Sequence, residues 1–381
     1  MQSGAATVEL DRPTWLERCF GLRDRLLANP RFQRWAAGFP LTRGIANRRA
    51  RALFDLCAGF VYSQVLLACV RLRVFELVRG EPQAIATLAA RMSLSVDAAT
   101  RLIDAAVSLR LLRRRANNHI GLGPHGAALL GNPAVMAMIE HHPLLYADLQ
   151  DPVALLRGQG QPGQLAGYWA YASSSQPTAL AGEQVAAYST LMSNSQPLVA
   201  EDILDAYSLD KHHCLLDVGG GEGAFLVTAA ARARHLRCIL FDLPAVAARA
   251  QLRFDAAGLT RRTTAVGGSF LTDELPVGAD IISLIRVVHD HNDAAVLALL
   301  RAARRALAPQ GTLLIAEPLA GTTDAEPMGE AYFGFYLLAM GSGRPRTRQA
   351  LQALLRAAGF NRIQALPTRR PLQTGLLIAR T

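Results

Sequence analysis

Between residues 41 and 78 the chain carries Leu53, Leu56, Phe60, Gln64, Leu67 and Val70 three or four positions apart, the stripe of an amphipathic helix. Arg48, Arg49 and Arg51 make one end of that stretch basic. Residues 12 to 36 predict a helix before it, with Phe39-Pro40 as the break. After the Gly80–Pro82 turn, Ile85–Arg91 and Val96–Arg110 predict two shorter helices. Leu111–Leu122, with three arginines and then Asn117-Asn118, predicts a small β-wing. From Gln184 the pattern changes. A helix to Tyr207 precedes five short apolar runs, at Cys214–Val218, Arg237–Leu243, Thr263–Val266, Asp280–Val287 and Thr312–Glu317. Helical stretches at 222–234, 244–258 and 292–308 alternate with them, and Pro244 suits a first helical turn. Such alternation folds into a parallel doubly wound α/β sheet. Arg362–Leu366 and Thr374–Ala379 are expected to close that sheet as a hairpin. Gly158–Pro177, rich in Gly, Gln, Ser and Pro, reads as a mobile connection.

At 381 residues, 51% of them apolar and 18% charged, the chain can bury one large core and a smaller one. The first twenty positions hold Glu9, Asp11 and Glu17 and no apolar run, so no secretory leader is expected. Leu53–Val70 is the most apolar window, but Asp55, Ser63 and Gln64 interrupt it; a buried helix is expected there rather than a membrane span. Five scattered cysteines without a C-x-x-C pair fit a reducing cytosol and argue against a structural zinc site. The net charge of +10 is unevenly spread. Residues 1–120 hold 19 Arg against 9 acids, while the remainder balances 21 against 21. A basic face of that kind serves nucleic acid, anionic lipid or an acidic partner.

The candidate chemistry starts at Asp217-Val-Gly-Gly-Gly-Glu-Gly223. An apolar strand runs into Asp217, a glycine-dense turn follows, and a helix begins near Glu222. Gly219, Gly221 and Gly223 let the backbone turn sharply and approach a ligand closely, and the helix start offers unpaired N–H groups. Asp242, 21 residues past Gly221, ends the next strand, where an acid accepts from two ribose hydroxyls. Gly219, Gly221 and Ala224 also satisfy the dinucleotide pattern G-x-G-x-x-A. Asp217 separates the two readings: a carboxylate there repels a pyrophosphate and suits a cofactor with amine and sulfonium charges. Further along, strand four ends in Arg286-Val-Val-His289-Asp290-His291, and strand five in Glu317-Pro318. Reactive groups of an open α/β sheet gather at these carboxyl ends, which puts His289 beside the crevice as a candidate general base. His291 reads as a wall or helix-cap residue, and no cluster of metal ligands accompanies His289.

Asp-x-Gly-x-Gly-x-Gly followed by an acid ending strand two resembles the S-adenosylmethionine site of class I methyltransferases. Leu-Asp-Val-Gly-Gly-Gly, Phe-Asp-Leu-Pro at 241–244, Gly-Gly-Ser-Phe at 267–270, His-Asp-His-Asn-Asp at 289–293 and Arg-Ala-Ala-Gly-Phe at 356–360 look like small-molecule O-methyltransferases of the plant caffeate and bacterial pigment type. The likeness spans residues 50 to 381. It extends to the bacterial hydroxyneurosporene or demethylspheroidene O-methyltransferases of carotenoid synthesis through Ala52–Ala68, His141–Ala154 and Tyr332–Arg344. It implies a Rossmann-like domain at 178–381, a winged-helix dimerisation domain at 51–155 and a basic helical extension at 1–50. Gly219 and its neighbours would hold the cofactor's methionine end, Asp242 with Leu243 its ribose, and Ser269 and Phe270 its adenine, where the plant enzymes have Asp and Met. Arg286 stands where they have Lys. His289 matches their catalytic His, with Asp290 beside it, although carotenoid relatives carry Tyr at this place. Glu317 matches one of two acids that orient the base. Pro345 occupies the place of the other, so a single carboxylate is expected to orient His289.

By the same likeness Met192, Phe333, Tyr336 and Met340 would contact the acceptor, a tertiary alcohol on a long acyclic polyene. A homodimer follows from the resemblance, and no nucleic acid is implied. A polyene lives in the membrane. The arginines of helices 12–51 are therefore expected to rest on anionic lipid, the enzyme being cytoplasmic and peripheral on the inner or intracytoplasmic membrane. A DNA-binding regulator with a vestigial methyltransferase fold is the rival from another class, with Arg113-Arg-Arg in the wing. The apolar second helix (Ala98, Leu102, Ile103, Ala105, Ala106, Leu109) suits burial in a dimer better than a DNA groove.

Overall fold

The computed structural model describes residues 14–159, 162–169, 182–371 and 373–380. The chain forms two compact units, Met1–Gly123 and Pro124–Thr381.

The first unit opens with α1 (Trp15–Ala28), α2 (Pro30–Gly38) and α3 (Pro40–Arg71). The helix expected over 12–36 is thus two. The Asn29 side chain accepts from Arg31 and Phe32 N–H, and Pro30 lacks the N–H that would continue α1. The helix expected to reach 78 stops at Arg71, because Arg73 adopts the left-handed region at φ 54 and starts a short α4 (Val74–Leu77). Helices α5 (Ile85–Arg91) and α6 (Val96–Ser108) follow, Ser95 capping the second through Ala98 N–H. Strands β1 (Leu112–Arg114) and β2 (Ile120–Leu122) then pair antiparallel as the wing. Val70, Phe75, Leu88, Ile103 and Ile120 form the buried centre. The burial expected for Leu53–Val70 holds only at its end, in Leu67, Cys69 and Val70. Leu53, Leu56 and Phe60 are 65%, 81% and 72% exposed. The apolar stripe continues beyond the part of α3 that its own unit covers. By length and composition alone, α3 is also apolar enough to cross a membrane.

The second unit begins with α7 (Pro124–Leu130), α8 (Pro133–Asp148), α9 (Pro152–Leu156), α10 (Gln164–Tyr168) and α11 (Gly182–Ala206). Part of the stretch expected to be a mobile connection is packed instead. Asp148 accepts from Gln164 and Leu165 N–H to start α10, and Leu165 and Trp169 are buried. Residues 160, 161 and 170–177 of that stretch lie outside the described residues. The α/β part runs β3 (Cys214–Val218), α12 (Ala224–Arg232), β4 (Arg237–Asp242), α13 (Pro244–Ala256), β5 (Thr263–Gly267), β6 (Ala279–Ile285), α14 (Asp293–Ala306) and β7 (Leu307–Glu317). A π-helix, Pro327–Phe333, leads directly into α15 (Gly334–Met340), before α16 (Arg348–Ala357), β8 (Arg362–Leu366) and β9 (Gly375–Arg380). The seven-stranded sheet has the order β5-β4-β3-β6-β7-β9-β8. The first five strands are parallel, and β9 lies antiparallel between β7 and β8, the hairpin the sequence pattern predicts. All five residues of β3 are buried, as expected of a strand covered by helices on both faces. The carboxyl ends of β3, β4, β6 and β7 open on one edge, where a doubly wound sheet binds its ligand.

Candidate functional site

The turn after β3 needs its glycines. Gly219, Gly221 and Gly223 hold φ of 69, 57 and 76. A Cβ on Gly219 would lie 2.7 Å from Val287 Cγ2, and one on Gly220 would meet Asp217 Oδ2. The Gly221 N–H donates to Asp242 Oδ2 at 2.8 Å, and Leu243 N–H to Asp242 Oδ1 at 2.7 Å. Asp217 is fully buried beneath the turn. Its Oδ1 accepts from Ser283 Oγ at 2.6 Å, and its Oδ2 has no hydrogen-bond partner among the described residues. Burial pushes the Asp217 carboxyl up to about 7, the Asp242 charge adding and Ser283 opposing. Burial likewise pushes Asp242 up to about 6 against its two backbone hydrogen bonds. Two acids that resist ionising together favour a cationic neighbour.

Every other residue expected to hold the cofactor lines one cavity of about 1020 Å³, part of it open to solvent: Gly219, Gly220, Gly221, Asp242, Leu243, Ser269, Phe270 and Arg286. Asp217 does not reach that wall. Arg286 sits there at φ 58, a backbone region bulky residues seldom adopt. His291 is on the wall too, edge-on to Phe270 at 5.0 Å.

His289 occupies a short 3-10 turn, Val288–Asp290, directly after β6. Its Nδ1 shares a hydrogen bond with Glu317 Oε2. Glu317 Oε1 accepts from Val287 N–H at 2.9 Å and Val288 N–H at 2.6 Å, so one carboxylate fixes both the ring and its backbone. The other nitrogen, Nε2, lies 3.1 Å from Asp290 Oδ1. Burial pulls the His289 pKa down, but the charges of Asp290 and Glu317 and the Glu317 hydrogen bond overcome it and leave the imidazole above its ordinary value. Phe333 meets the ring edge-on at 6.0 Å.

Of the residues expected to touch the acceptor, Met192 lines the cavity. Tyr336 and Met340 are buried in an apolar cluster behind the wall rather than on it, because α15 turns that face toward Leu145 and Trp169. Sequence reasoning missed the polar pairs in this region. Trp169 Nε1 donates to the Tyr336 hydroxyl at 2.8 Å, leaving that hydroxyl to donate to His141 Nε2 at 2.8 Å. His142 Nε2 and the Tyr332 hydroxyl pair at 2.8 Å. Burial, with His142 adding, lowers His141 to about 4, and burial raises Tyr332 and Tyr336. None of these groups carries charge near neutral pH. Trp169 and Gln196, which had no motif to reveal them, also line the cavity. Among the described residues no three His, Cys, Asp or Glu side chains gather as metal ligands.

The sequence profile of the O-methyltransferase domain matches residues 146–361, and that of the O-methyltransferase dimerisation domain matches residues 54–126. Demethylspheroidene O-methyltransferase of Cereibacter sphaeroides is 43% identical, over 91% of this chain and 91% of that protein. The Rhodobacter capsulatus protein of the same name is 39% identical, over 99% of this chain and 92% of its own length. Among solved structures, human N-acetylserotonin methyltransferase in complex with SAM matches with a TM-score of 0.71 at 23% identity, covering 87% of this chain and 97% of the human one.

Proposed function

This chain belongs to the O-methyltransferase family, and on that premise we propose that it uses S-adenosylmethionine to methylate the tertiary hydroxyl of an acyclic hydroxycarotenoid of the demethylspheroidene or hydroxyneurosporene type. The observation that carries the reaction is His289 held between Glu317 and Asp290, with its neighbours Val287, Asp290 and His291 lining the cavity although the imidazole itself does not. The substrate class rests on the two demethylspheroidene relatives and on the His141–Tyr336 and His142–Tyr332 pairs behind the wall.

The residues present fit the cofactor. The buried, unpartnered Asp217 oxygen beneath a turn that admits no β-carbon at Gly219 or Gly220 suits the positive methionine end, and Gly219–Gly221 would cradle it. Asp242 and Leu243 would take the ribose, Ser269 and Phe270 the adenine, and Arg286 the neighbouring wall. When bound, S-adenosylmethionine supplies a methyl group activated by sulfonium charge. Its binding is expected to favour the ionised acids, so calorimetry at pH 6 in buffers of different ionisation enthalpy should record proton release. Proton uptake would count against the Asp217 assignment.

The chain's own residues handle the proton. Glu317 keeps Nδ1 protonated and the ring fixed, which leaves Nε2 as the acceptor of the hydroxyl proton once the substrate displaces Asp290 from it. An aliphatic alcohol near ~16 lies about 9 units above imidazole, so full prior deprotonation would cost about 12 kcal/mol. His289 therefore takes the proton as the carbon–oxygen bond forms, worth about 10²–10⁴ in rate. Alignment of the reactants contributes about 7–11 kcal/mol and is the larger share.

The enzyme works as a homodimer through its dimerisation region. We assign it to the cytoplasm, with α1, α2 and the start of α3 in peripheral contact with anionic membrane. Residues 15–51 carry nine Arg against Glu17 and Asp24, and Trp15, Phe20, Trp35 and Leu41 are exposed among them. Anionic vesicles should capture the protein at low salt and release it at high salt; capture indifferent to lipid charge would refute the contact. The substrate is tested by mass analysis of pigments from a host with and without the gene. Methoxylated carotenoid only in its presence is the expected result, and methylated phenols alone would overturn it.

A further inference from the structure

The turn that carries His289 is held from two sides by distant parts of the chain. On the amide side Glu317 Oε1 accepts from Val287 and Val288. On the carbonyl side the donors come from Ser342–Arg346, the loop that precedes α16. Arg346 donates from Nη1 to Val288 O at 2.7 Å and from Nη2 to His291 O at 2.7 Å. Between them, Arg344 N–H donates to His289 O at 2.9 Å, and Ser342 Oγ to Asp290 O at 2.8 Å. The consecutive carbonyls of 288, 289, 290 and 291 are thus all taken by one short segment.

The fit is close. Gly343 has φ of 85 and packs so tightly on His289 O that no β-carbon fits. Arg346 is only 6% exposed, and Asp293 Oδ1 pairs its charge through Nε at 2.9 Å and Nη2 at 2.7 Å. A planar guanidinium can bridge two carbonyls and a carboxylate at once, which an ammonium cannot.

Resting on the reading of His289 as the general base, we propose that Ser342–Arg346, centred on Arg346, is the positioning element that fixes this base from the loop in which Pro345 supplies no carboxylate. Glu317 sets the ring from one side, and the carbonyl clamp sets the His289 backbone from the other. Arg346 touches no reacting atom. It acts through the position of His289.

The test uses the full-length protein with Arg346→Met, Arg346→Lys, Ser342→Ala and His289→Ala. It measures kcat and KM for methyl transfer to the hydroxycarotenoid, cofactor affinity by calorimetry, and the His289 titration by NMR without ligand. Arg346→Met is expected to lower kcat about a hundredfold, the scale of an ångström of misplacement, with cofactor affinity within about twofold. Arg346→Lys should recover about tenfold of that loss. Around His289 stand Asp290 and His291 on its own turn, Glu317 from β7, Arg286 from the end of β6, and Arg346 behind the turn. Loss of a neighbouring cation does not lower an imidazole's titration, whereas a ring released from Glu317 titrates lower, toward ordinary imidazole. A downward shift supports the clamp. An upward shift or wild-type kcat in Arg346→Met overturns it. Should that variant not fold, Ser342→Ala decides, with about a threefold loss of kcat expected from one lost carbonyl contact and no loss overturning the clamp. Wild-type turnover in His289→Ala would overturn the base reading instead, and the titration would still report on the clamp.

Discussion

The turn around His289 and the first half of α3 are opposite cases. In the turn, one carboxylate and one downstream loop take up amide after amide and carbonyl after carbonyl, and nothing outside the chain is needed. Along α3, Leu53, Phe54, Leu56 and Phe60 stand between 63% and 81% exposed with no cover from their own unit. The hydrogen bonds of the turn close within one chain; the surface of α3 is left uncovered by it. An apolar stripe of that extent needs an outside partner, and its overlap with the dimerisation region points to a second copy.

The contrast can be broken at either end. The largest effect is expected from Glu317→Ala, which strips an acceptor from Val287, Val288 and His289 together. Turnover should fall by about 10²–10⁴, and each orphaned N–H should lower stability by about 1–3 kcal/mol in urea unfolding. Unchanged turnover would mean that the ring is oriented by something else. On the open side, Leu56→Asp with Phe60→Asp should leave the stability of the single chain within about 0.5 kcal/mol while sedimentation shows the dimer lost. Unfolding of the isolated chain would place these side chains in a core after all. Arg48→Gln, Arg49→Gln and Arg51→Gln should each reduce partitioning to anionic vesicles about fivefold at low salt, read by co-sedimentation. The smallest effect is that of Asp290→Asn. Loss of a carboxylate that raises the His289 pKa moves the acid limb of kcat/KM to lower pH. A limb moving upward would remove Asp290 from the base's surroundings.

Much of the α/β unit was legible because local signals agree there. Apolar runs, Pro244 and the glycine turn mark strand, helix start and ligand edge within a few residues of one another. That the glycine turn and Asp242 line one cavity could be anticipated for the same reason, while Ser269 and Phe270 on the same wall were expected only from the family resemblance. Asp217 could be read as an acid but not as one lying under the turn, since depth depends on the packing of Ser283 and Leu240 around it. What escaped depends on long separations. Tyr336 meets His141 195 residues away, and Ser342 meets Asp290 across 52. No spacing rule links such pairs. The expected burial of Leu53–Val70 failed for another reason: an amphipathic stripe declares that a face will be covered, not by which chain.

The π-helix at 327–333 has a further consequence. Its wide turn delivers Tyr332 to His142 and Phe333 to the edge of His289 before α15 resumes ordinary pitch. Losing one residue there would tighten it to an α-turn and swing both rings by about 100° around the axis, with no strand of the sheet disturbed. The placement of both rings, one against His142 and the other against His289, therefore hangs on the number of residues in this single turn.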